Sequence, residues 1–273
     1  MSKKTEIKQV VIDADFLIFR VTEGKNTKMT MFQKRGKSIS KKKYEEPLEP
    51  YIRDFHSRVE SMMDQIAVQT ICEDWKLAKD PLIVFSDPNG NFRYELEPNY
   101  KGNRKGSERS ELYYRLRKWA TKKFFYGKNL EADDVVSYYV RDKNYLGVTF
   151  DKDMLHGVAG IWYNPHEKHL CMVKTTHEEA ERFCLMQTLA GDPVDNIKGL
   201  PRVGLPTAKK LLDEHGWDWN GVVSAYESKG LTKKDAVLAR RLIGMDQVKV
   251  SKKGKFKVKL FTAKKRIKKN DKN

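Results

Sequence analysis

Lys8-Gln-Val-Val-Ile-Asp13-Ala-Asp15 is a short β-branched run that ends in two carboxylates, and it is followed at once by a second apolar stretch, Phe16-Leu-Ile-Phe19. A run of this kind reads as a buried strand that delivers acidic residues at its carboxyl end. The pattern returns twice. Pro81-Leu-Ile-Val-Phe-Ser-Asp87 is a continuous apolar strand closing on a carboxylate before the turn Pro88-Asn-Gly90, and Gly147-Val-Thr-Phe150 runs into Asp151-Lys-Asp153. Leu170-Cys-Met-Val173 reads as a fourth strand. Between the first two, apolar residues from Ile52 to Trp75 recur at three- and four-residue spacing, which predicts an amphipathic helix over residues 51 to 79. Glu131 to Arg141 presents a second helical face through Val135, Val136, Tyr139 and Val140. Strands alternating with helices predict an α/β fold with a mostly parallel central sheet and helices on both faces.

Ligand sites of open α/β sheets lie at the carboxyl ends of the strands. Asp13, Asp87, Asp151 and Asp153 all fall there. Glu131 and Asp134 are three residues apart at the start of a helix and share a face, with Asp133 within reach from the same turn. Read alone, these three are equally ordinary residues for a helix amino terminus. Asp192 and Asp195 in Gly-Asp-Pro-Val-Asp-Asn are likewise open to a plain reading as turn residues. Gathered in one place, so many carboxylates would repel one another by several kcal/mol unless cations neutralise them. Oxygen ligands without His or Cys favour Mg²⁺ or Mn²⁺ over Zn²⁺. Two such ions about 4 Å apart can activate water and stabilise the leaving oxygen of a phosphodiester. His166, His169 and Cys171 lack a fourth zinc ligand at sensible spacing.

Composition agrees with a polyanionic partner. The 273 residues hold 54 Lys and Arg against 37 Asp and Glu, a net charge of +17. Residues 249 to 273 carry 12 cations and one acid, +11 of that total, and leave +6 for residues 1 to 248. No stretch approaches the roughly 18 apolar residues of a membrane span, and the start of the chain lacks an apolar signal region. Three cysteines without CxxC spacing fit a reducing compartment, so a cytoplasmic monomer is expected. The polar stretch from 21 to 50 reads as a basic loop. Lys255 to Leu260 alternates as a strand would, without an evident partner, and the end of the tail reads as a tether to nucleic acid or as a solubilising segment.

Six segments in order resemble the 5′ nucleases, a family that includes flap endonucleases, the 5′-nuclease domain of bacterial repair polymerases and small bacteriophage 5′-to-3′ exonucleases. They are Val-Ile-Asp13-Ala-Asp15; Phe-Ser-Asp87; Phe92-Arg93 with Pro98-Asn-Tyr100-Lys101-Gly-Asn-Arg104; Glu131-Ala-Asp133-Asp134; Asp151-Lys-Asp153; and Gly191-Asp192-Pro-Val-Asp195-Asn. Any one is weak, whereas all six in order are specific. The resemblance implies a PIN-like body over residues 1 to 185, a helix-three-turn-helix region over 186 to 248 and a basic tail from 249, with an arch segment near residues 100 to 125. It implies that Asp13, Asp87, Glu131 and Asp133 ligate one metal, with Asp134 close by. Asp151, Asp153 and Asp192 would ligate a second, Asp195 acting through water and Asp15 standing behind the ligands. Lys101 and Arg104 would grip the scissile phosphate; on their own they read as a solvated loop. Arg93 and Tyr100 are expected to contact DNA, as are Gly199, Arg202, Gly204, Thr207, Lys209 and Lys210 in the hairpin, through turn amides, a helix amino terminus and cations. Arg202 stands where the family has glycine, so either the turn is distorted or the arginine adds a phosphate contact.

The expected activity is 5′-to-3′ exonuclease or flap endonuclease cleavage of DNA at a 5′ end, nick or flap, by two Mg²⁺ ions that Mn²⁺ can replace. A noncatalytic structure-specific DNA-binding protein is disfavoured, because such a protein gains nothing by concentrating negative charge where phosphates approach. Removal of RNA primers from a DNA template stays open.

Overall fold

A computed structural model describes residues 7, 9–23, 47–71, 77–104, 109–166 and 172–263. Most of the basic loop, part of the arch segment, His169, Cys171 and the end of the tail lie outside the described residues. The chain divides into two compact units, one formed by residues 1–92 and 104–179 and the other by Arg93–Asn103 with Ala180–Asn273.

The first unit is an α/β layer. In chain order it contains β1 (Val10–Asp13), α1 (Asp15–Glu23), α2 (Glu49–Gln69) and β2 (Leu82–Phe85). The second unit contributes α3 (Arg93–Leu96) at this point of the chain, and α4 (Glu111–Lys123), β3 (Phe125–Tyr126), α5 (Ala132–Lys143), β4 (Leu146–Val148), α6 (Lys152–Gly157), β5 (Gly160–Tyr163) and β6 (Met172–Thr175) follow in the first. The six strands stand in the order β3-β2-β1-β4-β5-β6. Every neighbouring pair is parallel except β5 with β6. The expected fourth strand is therefore the antiparallel edge, and two strands, β3 and β5, join the sheet that sequence periodicity did not separate.

Burial explains the uniformly apolar strands, since a parallel sheet is covered on both faces. Val10 and Ile12 of β1 point into a core with Ile83, Phe85, Leu146 and Val148, and Phe16 and Leu17 of α1, Phe55, Val59 and Ile66 of α2 and Leu116 of α4 close over it. Gly147 faces the other way. A Cβ there would lie 2.7 Å from Val140 of α5 and 2.4 Å from the Trp162 ring, so the absence of a side chain lets α5 lie close on the sheet. Helix α2 ends at Gln69 and is capped by Thr70, whose hydroxyl donates to the Ile66 carbonyl (2.8 Å), before the end of the span expected from periodicity.

The second unit continues from α7 (His177–Ala190) through a short ribbon, β7 (Gly191–Asp192) with β8 (Ile197–Lys198), to α8 (Leu205–His215), α9 (Trp219–Ser228) and α10 (Lys233–Ile243). Leu185, Leu189, Leu200, Leu212, Val222 and Tyr226 form its core with Ala208, Ala236 and Ala239. The Tyr226 hydroxyl donates to the Thr188 carbonyl (2.8 Å), and burial pushes its pKa well above the usual phenol value. A last antiparallel ribbon pairs β9 (Val248–Val250) with β10 (Phe256–Val258). The alternation at Lys255 to Leu260 thus has its partner, and the boundary expected at 249 falls inside this ribbon.

Candidate active site

Strand order decides where the carboxylates meet. β1 lies between β2 and β4, so the chain runs outward from β1 in one direction and returns past it in the other. That is the switch point at which open sheets leave a crevice. Asp13 closes β1, Asp87 follows β2 by two residues and Asp151 follows β4 by three. With neighbouring strands about 4.8 Å apart, three carboxylates stand at adjacent strand ends.

Each is engaged locally. Asp13 is 8% exposed and accepts from the Asp15 N–H (3.3 Å). Asp87, at 6%, accepts on Oδ1 from the Asn89 N–H (2.9 Å) and side-chain amide (3.0 Å), and on Oδ2 from the Asn129 N–H (2.7 Å). Glu131 and Asp134 form a reciprocal capping box on α5, in which Asp134 Oδ2 accepts from the Glu131 N–H (3.1 Å). Asp134 is fully buried, so it fixes Glu131, while Asp133 stands half-exposed on the same turn. Asp151 caps α6 by accepting from the Asp153 N–H (2.8 Å), and Asp153 is half-buried beside it.

Two residues that the sequence did not single out tie these ends together. The Ser86 N–H donates to Asp15 Oδ2 (3.3 Å), and its hydroxyl accepts from the Ala132 N–H at the start of α5 (2.9 Å). Arg117 of α4 places Nη2 3.4 Å from the Ser86 carbonyl and 3.9 Å from Asp15 Oδ1. Burial works against the Arg117 charge, but Asp15 and Tyr113 outweigh it and leave the guanidinium pKa raised. Asp15 is thus held by the Ser86 N–H with the Arg117 guanidinium beside it. Only the adjacency of Ser86 to Asp87 was open to sequence inspection; nothing in the spacing of α4 marks Arg117.

The donor set is all oxygen, which fits a hard divalent cation. Among the described residues no group of three or more such side chains is already assembled as a metal cage.

In the second unit the expected roles sort differently. Lys101 Nζ lies 3.4 Å from Asp195 Oδ2, which also accepts from the Tyr100 hydroxyl (3.0 Å), and the Lys101 N–H donates to the Asp195 carbonyl (2.8 Å). Lys101 itself has φ 53°, a left-handed backbone that an L residue rarely adopts. Asn103 and Asn196 complete the clasp by donating to the Pro193 and Asn99 carbonyls, each at 2.7 Å. Asp192 accepts from the Val194 N–H (2.8 Å) in the intervening turn. Two DNA contacts expected from sequence are corrected. Arg93 is 2% exposed, and its Nε donates to the Leu242 carbonyl (2.7 Å) at the end of α10. Tyr100 is also 2% exposed, with its hydroxyl on Asp195. Both are framework residues, because a buried guanidinium satisfied by carbonyls cannot also meet solvent phosphates. Arg104, the first residue after the segment Arg93–Asn103 and part of the first unit, is exposed in a short 3₁₀ turn.

Arg202 adopts φ 60°, so the hairpin keeps the left-handed turn with arginine in the glycine position, at a cost of roughly 1 to 2 kcal/mol. The Ala208 N–H donates to the Gly204 carbonyl (2.8 Å) in the first turn of α8. Arg202, Gly204, Thr207, Lys209 and Lys210 are exposed, with Lys209 bridged to Asp213 (2.8 Å). Gly199 does a different job. A Cβ there would lie 2.3 Å from backbone atoms of Ala190 and Gly191, so it permits β7 and β8 to meet.

The fold is similar to that of solved 5′ nuclease structures. The flap endonuclease of bacteriophage T5, solved with DNA and metal ions, superposes with a TM-score of 0.57 at 16% identity over 87% of this chain and 89% of its own. In sequence the chain is 26% identical over 193 residues to DNA polymerase I of Rhizobium leguminosarum, covering 60% of this chain and 19% of the polymerase. It is 28% identical over 164 residues to the 5′-3′ exonuclease of Buchnera aphidicola, covering 54% of this chain and 57% of that protein. The flap endonuclease of Escherichia phage T5 is 24% identical over 205 residues, 64% of this chain and 66% of its own length. The chain thus spans about a fifth of the polymerase and over half of the exonuclease. No family model matches. A likeness to 5′ nucleases is thus present both in sequence and in fold.

Proposed function

We propose that this chain is a metal-dependent 5′ nuclease that hydrolyses DNA phosphodiesters at or near a 5′ end, as an exonuclease and flap endonuclease. One observation carries the reading: Asp13, Asp87 and Asp151 end three adjacent strands at the switch point of the sheet. Asp13, Asp87, Glu131 and Asp133 would hold one Mg²⁺ and Asp151 with Asp153 would help hold a second, Mn²⁺ serving in their place. Such ions supply Lewis-acid stabilisation and neutralise charge that the carboxylates cannot tolerate together. Asp134 keeps Glu131 in place through the capping box, and Ser86 with Arg117 keeps Asp15 turned toward the strand ends. Lys101 is paired with Asp195 and offers an ammonium group that a backbone phosphate can compete for.

The test uses 5′-flap, nicked and blunt duplexes with Mg²⁺ and with chelator. Cleavage should require the metal, and Asp153→Ala should abolish it while leaving duplex affinity in chelator within about threefold, since Asp153 contributes no phosphate-facing cation. Undiminished turnover by Asp153→Ala would remove the metal assignment, and binding without cleavage by the unmodified chain would leave only a DNA-binding protein.

A further inference from the structure

The C-terminal ribbon presents a second charged surface that the carboxylate crevice and the helical hairpin do not account for. Its register sets Val248 opposite Val258, Lys249 opposite Lys257 and Val250 opposite Phe256. Side chains alternate across a strand, so Val248, Val250, Phe256 and Val258 share one face and the two lysines share the other. The pairing continues past the strands. The Ser251 N–H donates to the Lys255 carbonyl (2.8 Å) and the Lys259 N–H to the Gln247 carbonyl (2.6 Å), which adds Lys255 and Lys259 to the lysine face. Lys252 and Lys253 occupy the turn, where Gly254 takes φ 74°. All six lysines are exposed, whereas Val248 is fully buried.

The ribbon is also fastened. Gln247 donates to the Arg241 carbonyl (2.7 Å) and the Gly244 carbonyl (3.0 Å) and accepts from the Phe261 N–H (2.8 Å). Arg241 donates to the Phe261 carbonyl (3.0 Å), and the Phe261 ring packs edge-on against Trp219 at 4.7 Å with the Arg240 guanidinium 5.0 Å away. A lysine face held this firmly differs from a solubilising tail. Like charges placed directly opposite across a ribbon are destabilising, and same-face lysines recur about every 7 Å, roughly two nucleotide steps along one strand of B-DNA.

Building on the nuclease reading above, we propose that this ribbon is a backbone-binding element for duplex DNA, in which Lys249, Lys255, Lys257 and Lys259 contact backbone phosphates and relieve their own repulsion on binding. The binding is independent of base sequence, because the face offers ammonium groups and no reader of base edges. Exposed lysines also keep ribbon edges from pairing with other chains, and that rival makes a different prediction.

The deciding measurement is duplex affinity of the full chain in chelator across a range of salt. Replacing the four lysines together (Lys249→Gln, Lys255→Gln, Lys257→Gln and Lys259→Gln) should flatten the slope of log K against log salt by about 0.9 for each phosphate no longer neutralised, up to roughly 3.6. The same four changed to Arg should retain the slope, and the Gln variant should melt at the same temperature as the unmodified chain or higher. An unchanged slope in a folded Gln variant overturns the proposal, and aggregation of that variant with an unchanged slope assigns the lysines to edge protection. If the Gln variant melts lower, Lys249→Gln, Lys255→Gln, Lys257→Gln and Lys259→Gln made singly supply the slope, and no flattening in any folded single variant is equally decisive. Loss of Mg²⁺-dependent cleavage in the unmodified chain would sink the nuclease reading while leaving the slopes to judge the ribbon.

Discussion

The strand ends of the first unit and the hairpin of the second solve opposite problems. At the strand ends, negative charge is concentrated and drawn inward, and Asp87, Asp134 and Asp151 are each held by backbone N–H groups. On the hairpin, positive charge is spread outward, and the precision resides in the backbone itself, in Gly191 at φ 72°, Asn196 at 56° and Arg202 at 60°. The first arrangement is sensitive to loss of a side-chain acceptor. The second is sensitive to addition of a Cβ.

That contrast orders the expected effects. Gly199→Ala should be the most damaging, because its Cβ would meet backbone rather than a movable side chain; a loss of about 3 kcal/mol or more in urea unfolding is expected, and a loss below about 1 would show that β7 and β8 can separate freely. Asp134→Ala removes the acceptor for a buried N–H at the start of α5 and should cost about 2 kcal/mol, with Mg²⁺-dependent turnover falling alongside as Glu131 loses its anchor. Unaltered turnover in that variant would separate the cap from the site. Arg202→Gly should go the other way, gaining up to about 1 kcal/mol of stability by removing left-handed strain while flattening the salt dependence of duplex affinity by about 0.9. An arginine that costs nothing in stability and adds nothing to the slope would leave its place in the turn without a reason.

The smallest effect is set by pH. Asp235 accepts from the Thr232 hydroxyl (2.6 Å) and N–H (2.7 Å) in the capping box of α10, and those bonds lower its pKa below the ordinary 3.8. A lowered carboxylate pKa contributes stability that is present above the unfolded value and disappears as pH falls through the folded one. Melting temperature should therefore drop more steeply below pH 3.8 in the unmodified chain than in Asp235→Asn, and parallel curves would remove the cap from the balance.

The strands that bear carboxylates were legible because a parallel strand buried on both faces must be apolar throughout, and an Asp at its end then stands out. β3 and β5 escaped for the same reason in reverse: two residues, or four beginning with glycine, show no period. Arg202 was legible as a question, since the residue type conflicts with the turn, and only the backbone answered it. Arg93 was not legible at all. Its burial depends on carbonyls at the end of α10, and a charged residue on a short helix looks solvated until its distant partner is known.

That partner is 149 residues further along the chain. Residues Arg93–Asn103 are made in the midst of the first unit yet belong to the second. During synthesis at about 5 to 20 residues per second, Arg93 is added to the chain roughly 7 to 30 seconds before the carbonyl of Leu242 exists to receive it. The segment Arg93–Asn103 therefore cannot reach its final hydrogen bonding until α10 has been made, so its place in the second unit is settled after translation has passed Leu242.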